Sequence, residues 1–120
     1  MRKCEPCENE MIATIYYSEP KEILNECCKW FKLSIEDVTG KDRHFFIVEV
    51  RHMISDLLYS NTELNLPLKY VGKLVGKKDH TTIMHSIKEV KKLCSVYPEY
   101  KKKYQNLHLK IYGSLKYFKY

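Results

Sequence analysis

"VGKLVGKKDHTTIMHSIKEV", residues 71–90, decides the fold. Apolar residues run up to Gly76, Lys77 and Lys78 follow, and then Asp79-His80-Thr81-Thr82 heads an amphipathic stretch. Ile83, Ile87 and Val90, with Cys94 beyond them, recur at helical spacing, so a helix is expected to open at Asp79. Immediately upstream, Leu68, Val71, Leu74 and Val75 mark a shorter helix. A short helix, a turn containing Gly76 and a longer helix make a helix-turn-helix. In that arrangement the second helix enters the major groove of DNA and its first residues reach the base edges.

The groups at this helix start suit that task. Lys77 and Lys78 bring positive charge, and the amides of a helix N-terminus favour a nearby phosphate. His80 and Thr81 offer hydrogen-bonding groups, and a Thr methyl can meet a thymine methyl. Asp79 can accept from a cytosine amino group or simply cap the helix. An Asp cap followed by Thr is also common in helices that touch nothing, so the spacing alone leaves both readings open.

The flanking sequence reads as further helices. "SEPKEILNECCKWFKLS" (18–34) offers Ser18 or Glu19 as a cap and Pro20 for the first turn, with Ile23, Leu24, Cys27, Trp30 and Phe31 on one face. "SIEDVTG" (34–40) is a short turn of helix opened by Ser34 and closed by Gly40. "HFFIVEVRHMISDLLYSN" (44–61) sets Phe46, Val50, Met53, Ile54, Leu57 and Leu58 along the stripe of a long core helix. "TELNLP" (62–67) is a connector, and Pro98 starts a last helix that ends at Gly113. "EMIATIYYS" (10–18) is apolar and β-branched enough for a strand, but no partner strand is visible and strong β patterning is missing, so the expectation is an all-α domain of about five or six helices. It would span residues 18–113, after an arm or extra helix at 1–17 and before a tail at 114–120 that packs back or dangles.

Composition bounds the function classes. A chain of 120 residues can bury one core without staples. No apolar run approaches the roughly 18 residues of a membrane span, and the N-terminus has no apolar stretch of a signal peptide. A cytoplasmic location is expected, with the five cysteines reduced. The net charge of +6 is uneven: residues 1–39 carry 5 Lys/Arg against 8 Asp/Glu, and residues 40–120 carry 16 against 7. A basic body of this kind suits a polyanionic partner, although a solvated lysine-rich surface has the same composition.

Residues 21–93 resemble the C-terminal DNA-binding domain of DnaA, the bacterial replication initiator. The string "VGKLVGKKDHTTIMHS" carries the resemblance, supported upstream by "VTGKDRHFFIVEVRHM". The resemblance implies a Trp-repressor-like helical domain that binds a short box in double-stranded DNA, in control of replication initiation or transcription. It implies that Lys78, Asp79, His80, Thr81 and Thr82 face the major groove, with Lys77 beside them. It implies that Arg43 enters the adjacent minor groove in a basic loop that includes Lys41. Arg51 would contact the DNA backbone, and Leu68 and Lys69 would form a further contact.

The departures fall in the loop. Asp42 interrupts its basic run, Phe45 and Glu49 stand where basic residues are expected, the connector is about two residues longer, and Ile54-Ser55 replaces an Ala-Met pair. A full initiator also carries an ATPase module, and no G-x-x-x-x-G-K-[ST] loop is present here, so neither nucleotide binding nor ATP-driven origin opening is expected. The Met1 start and the distinct tail favour a stand-alone binder over a fragment.

Rival readings are weaker. Cys4-x-x-Cys7 could be half of a zinc site completed by Cys27, Cys28 or a histidine, but adjacent Cys27 and Cys28 form no second knuckle, and unliganded thiols are favoured. The same motif lacks the strand-then-helix context of a redox site. His80 and His85 are spaced wrongly for a metallohydrolase, and Asp56, Glu49 and Glu89 form no acid–base pair. No enzyme activity, metal or cofactor is expected. "YPEYKKKYQNLHLKIY" (97–112) could stack single-stranded bases, yet Tyr97, Tyr100, Tyr104 and Leu107 make a packing stripe more simply. A module that binds a replication protein is the remaining class of function.

Overall fold

The computed structural model describes residues 19–41, 44–76 and 79–120. Among these residues there are six helices and no strand: α1 (Pro20–Trp30), α2 (Ile35–Thr39), α3 (Phe45–Ser60), α4 (Leu68–Leu74), α5 (His80–Val96) and α6 (Pro98–Tyr112).

Each helix has a local cause. α1 begins with Pro20, whose fixed φ suits a first turn and whose missing N–H is one that no helix would use there. Its end is a Schellman motif: the Leu33 N–H donates to the Cys28 carbonyl at 2.8 Å and the Lys32 N–H to the Lys29 carbonyl at 3.0 Å. Lys32 takes the left-handed conformation between them, with φ 60°. α2 is one turn long and opens with a capping box, in which the Asp37 N–H donates to Ser34 Oγ and the Ser34 N–H to Asp37 Oδ2, both at 3.0 Å. α6 again begins with Pro and ends at Gly113 in the left-handed region.

α3 is the axis of the domain. Val50, Met53, Ile54, Leu57 and Leu58 are buried, and α5 makes its main packing surface against this helix. Ile23, Leu24, Cys27 and Cys28 of α1, Val38 of α2, Val71 and Val75, Ile83 and Val90, and Tyr104, Leu107 and Ile111 complete one core. Fully burying each aliphatic side chain of this kind contributes about 1.5–3 kcal/mol. Three aromatic residues expected inward are exposed instead: Trp30, Phe46 and Tyr97. In the first turn of α3, Ile47 takes the buried place and Phe46 lies over Phe31 at the rim.

The C-terminal residues pack back onto the domain. Tyr117 is buried and its hydroxyl donates to Glu63 in the connector, while the Tyr120 hydroxyl donates to Asp56 Oδ1 at 2.9 Å. The hydroxyl of Tyr104 donates to the other oxygen of Asp56, so two tyrosines satisfy this buried carboxyl. Burial still raises its pKa, the tyrosine bonds pulling the other way. Residues 1–17, with Cys4 and Cys7, lie outside the described residues. Cys27 and Cys28 are buried under α1, and burial pushes the Cys28 thiol up to about 11 and Cys27 well above its ordinary range. Among the described residues no group of three or more His, Cys, Asp or Glu could hold a metal ion, and no helix is long and apolar enough to cross a membrane.

Candidate nucleic-acid interface

The turn between α4 and α5 rests on the end of α2. Gly76 has φ +79°, a conformation side chains with a Cβ rarely adopt, and a Cβ placed there would lie 2.1 Å from the Thr39 carbonyl oxygen. Glycine is therefore required twice, for its dihedral and for the close approach. The neighbouring carbonyls of α2 are held from the other side by Arg51, whose Nε donates to Val38 O at 2.6 Å and whose Nη2 donates to Gly40 O at 3.3 Å. The helix that leads into the turn and the long helix beneath it thus meet on three consecutive residues, Val38, Thr39 and Gly40.

Past the turn, Asp79 caps α5. Its Oδ1 accepts from the Thr81 N–H at 3.0 Å, and that bond is the first cause of its lowered pKa. Asp79 is thus ionised at the helix N-terminus, where negative charge is favoured. His80 Nδ1 lies 3.6 Å from the same carboxylate oxygen, and both side chains are well exposed. Ile83, Ser86 and Val90 turn inward. The opposite face presents His80, Thr81, Met84, His85 and Lys88 to solvent. A helix of 17 residues is about 25 Å long at 1.5 Å per residue, ample to lie in a groove about 12 Å wide.

Between α3 and α5 runs a groove lined by Lys41, Val48, Arg51, His52, Thr82 and His85, together with the hydroxyl residues Ser55 and Ser86. Among the described residues, no carboxylate lines it. His52 Nδ1 and Ser86 Oγ are 2.8 Å apart across it, and the His52 ring meets that of His85 edge to face at 5.8 Å. Burial lowers the His52 pKa first, then the neighbouring His85 and Arg51; Glu89 and Glu49 pull the other way. The groove runs alongside the first turns of α5, with Lys41 as its exposed cation among the described residues.

The residues singled out from the sequence fall into separate places. Asp79, His80 and Thr81 are exposed together on the first turn of α5, and Thr82, half-buried, faces the groove. Lys41 lines the same groove. Arg51 is only 7% exposed and has the bonds just described. Lys69 is exposed on α4, whereas Leu68 packs against the core and lines a different depression, beside Asn61, Leu66 and Tyr117. Arg43, Lys77 and Lys78 lie outside the described residues. Met84, His85 and Lys88, none of them assigned to DNA contact from the sequence, continue the exposed face from His80 and Thr81 at helical spacing. That spacing was a usable signal. Nothing local to α3 pointed to the pairing of His52 with Ser86, 34 residues away.

Comparisons with known proteins agree with this geometry. A family described as the bacterial dnaA protein helix-turn-helix matches residues 20–90. The chain is 36% identical over 85 residues to the chromosomal replication initiator protein DnaA of Neisseria meningitidis serogroup B, covering 71% of the chain and 16% of that protein. The protein of the same name from Clavibacter sepedonicus is 34% identical over 74 residues, covering 62% of the chain and 15% of the relative. That of Bacteroides fragilis is 28% identical over 107 residues, covering 89% and 21%. The chain therefore spans less than a quarter of the length of these relatives.

Proposed function

The chain belongs to the bacterial DnaA helix-turn-helix family, and from that premise we propose that it binds double-stranded DNA sequence-specifically, in the control of replication initiation. The exposed first turns of α5 enter the major groove. His80 and Thr81 read base edges, and Lys77, Lys78, Lys41 and Lys69 engage phosphates. Arg43 reaches the neighbouring minor groove, and Arg51 braces the surface that meets the backbone. The observation that carries this reading is the joint exposure of Asp79, His80 and Thr81 at the capped start of a helix anchored on α3.

The domain acts as a binding module rather than a catalyst, and it requires neither a nucleotide nor a metal. A module of this kind contributes by occupying sites in the duplex. The cytoplasm, where the DNA is, is the compartment this reading requires.

Selection from a random duplex pool, followed by anisotropy titration of the recovered duplex at several salt concentrations, tests the proposal. The expected result is a preferred site with log affinity falling linearly against log salt, because phosphate contacts release counterions. Absence of duplex binding at low salt, or affinity indifferent to salt, would favour a protein-interaction module instead.

A further inference from the structure

We propose that Phe45 is a DNA-contacting wedge, an apolar ring that presses against sugars and base-step edges in the minor groove next to the major-groove site. The proposal rests on the reading of α5 as the major-groove helix and adds a second kind of contact to it.

Phe45 is 81% exposed, more than any other large hydrophobic residue among the described ones. A lone exposed apolar side chain is ordinary and says little. Its surroundings say more. Phe45, Val48 and His52 follow one another at helical spacing on α3, and Val48 and His52 line the groove whose other wall is Thr82 and His85 of α5. The ring therefore stands at the N-terminal end of the same strip of surface that flanks the first turns of α5. A helix seated in the major groove has a phosphate backbone along each side and a minor groove beyond it. A residue at the far end of the flanking strip meets DNA there, outside the major groove.

The adjacent ring behaves differently. Phe46 packs edge-on against Phe31 with centroids 6.1 Å apart, and the Lys103 ammonium lies 5.9 Å from its centre. One aromatic residue of this helical turn thus serves packing, while no ring or cation contact involves Phe45 among the described residues.

Charge selects the occupant. Lys41 stands before the helix, and Glu49, one turn beyond Phe45, is held by Lys103 at 3.2 Å. A carboxylate already paired with a lysine, and a groove that carries Lys41 and no carboxylate among its described lining residues, favour a polyanion over an apolar protein surface. Against DNA, an inserted Phe unstacks a base step and bends the duplex away from the wedge, a common device of minor-groove contacts.

The test uses the full chain and the duplex it selects from a random pool, with 2-aminopurine placed at successive positions flanking the site. Wild-type protein is expected to raise 2-aminopurine emission at one flanking step. Phe45→Ala should abolish that rise and weaken binding about tenfold, the scale of losing one aromatic–base contact. The slope of log affinity against log salt should not change, because an apolar ring releases no counterions. Phe45→Leu, which keeps an apolar wedge, should recover most of the affinity. Melting temperature should be unchanged in both variants, since the ring buries almost nothing in the free protein. Equal affinity and emission for wild type and Phe45→Ala would overturn the wedge while leaving duplex recognition intact. So would a fall in melting temperature that accounts for the loss. Failure of the wild type to bind any duplex would overturn both readings.

Discussion

Arg51 and Val38 are joined by a 2.6 Å hydrogen bond from guanidinium Nε to backbone carbonyl, across 13 residues of sequence. With the second bond to Gly40, it ties the long core helix to the end of α2, against which Gly76 also presses. This arginine holds the protein together.

Replacing Arg51 should therefore show first in stability. Arg51→Ala leaves two carbonyls without their charged donor, and bonds to charged groups contribute about 1.5–3 kcal/mol each, so a loss of about 3 kcal/mol in urea unfolding is expected. Arg51→Lys should recover only part of it, because an ammonium cannot reproduce the planar fork. Unchanged unfolding with reduced DNA affinity would restrict Arg51 to phosphate binding.

Gly76→Ala should damage recognition more than its small volume suggests. A left-handed backbone costs a residue with a Cβ about 1–2 kcal/mol, and the clash with Thr39 O forces the turn itself to move. The expected outcome is destabilisation of more than about 2 kcal/mol and lost site preference in the fraction that remains folded. Calorimetric melting and anisotropy on the same samples would separate the two effects.

The exposed face of α5 should divide into base-reading and positioning residues. His80→Ala and Thr81→Ala, and Met84→Ala as well, should each relax preference at a base pair by about 1–3 kcal/mol, measured on duplexes with single substitutions. Lys88→Ala should weaken all duplexes evenly and reduce the salt slope by about one. Uniform losses for all four would mean that this face positions the helix without reading sequence.

His108 gives the fold an acid-sensitive point. It is fully buried among Tyr104, Tyr112 and Phe118, neither ring nitrogen has a hydrogen-bond partner among the described residues, and burial, helped by Lys119, lowers its pKa to about 4. The unfolded chain takes up this proton near pH 6.5 and the folded one only near 4. Stability should therefore fall as pH drops through that window, by on the order of 3 kcal/mol in all. Asp56, whose pKa burial raises, works in the opposite sense near its own range and trims the loss. His108→Phe should flatten the profile of melting temperature against pH between 4 and 6.5.

Much of this architecture was legible because its causes are local. The Pro starts of α1 and α6, the Ser34–Asp37 box, the Asp79 cap and the left-handed Gly113 are each signalled within a few residues. The helix-turn-helix was legible for the same reason. Trp30, Phe46 and Tyr97 were misplaced because a large aromatic at the edge of a helical stripe can cover a rim as well as fill a core. The engagement of Arg51 with α2 and the His52–Ser86 contact were illegible because both join elements distant in sequence. Periodicity says which face of a helix is inward, not what waits there.

The match to the family ends at residue 90, but the carboxyl of Asp56 takes its hydrogens from Tyr104 and Tyr120, both beyond that boundary. A segment cut to the recognisable motif would strand an acid that is 1% exposed in the folded chain. The portable unit is larger than the recognisable one. Anyone transplanting this helix-turn-helix onto another protein must carry α6 and the final tyrosine with it, or replace Asp56 with a residue content in an apolar interior.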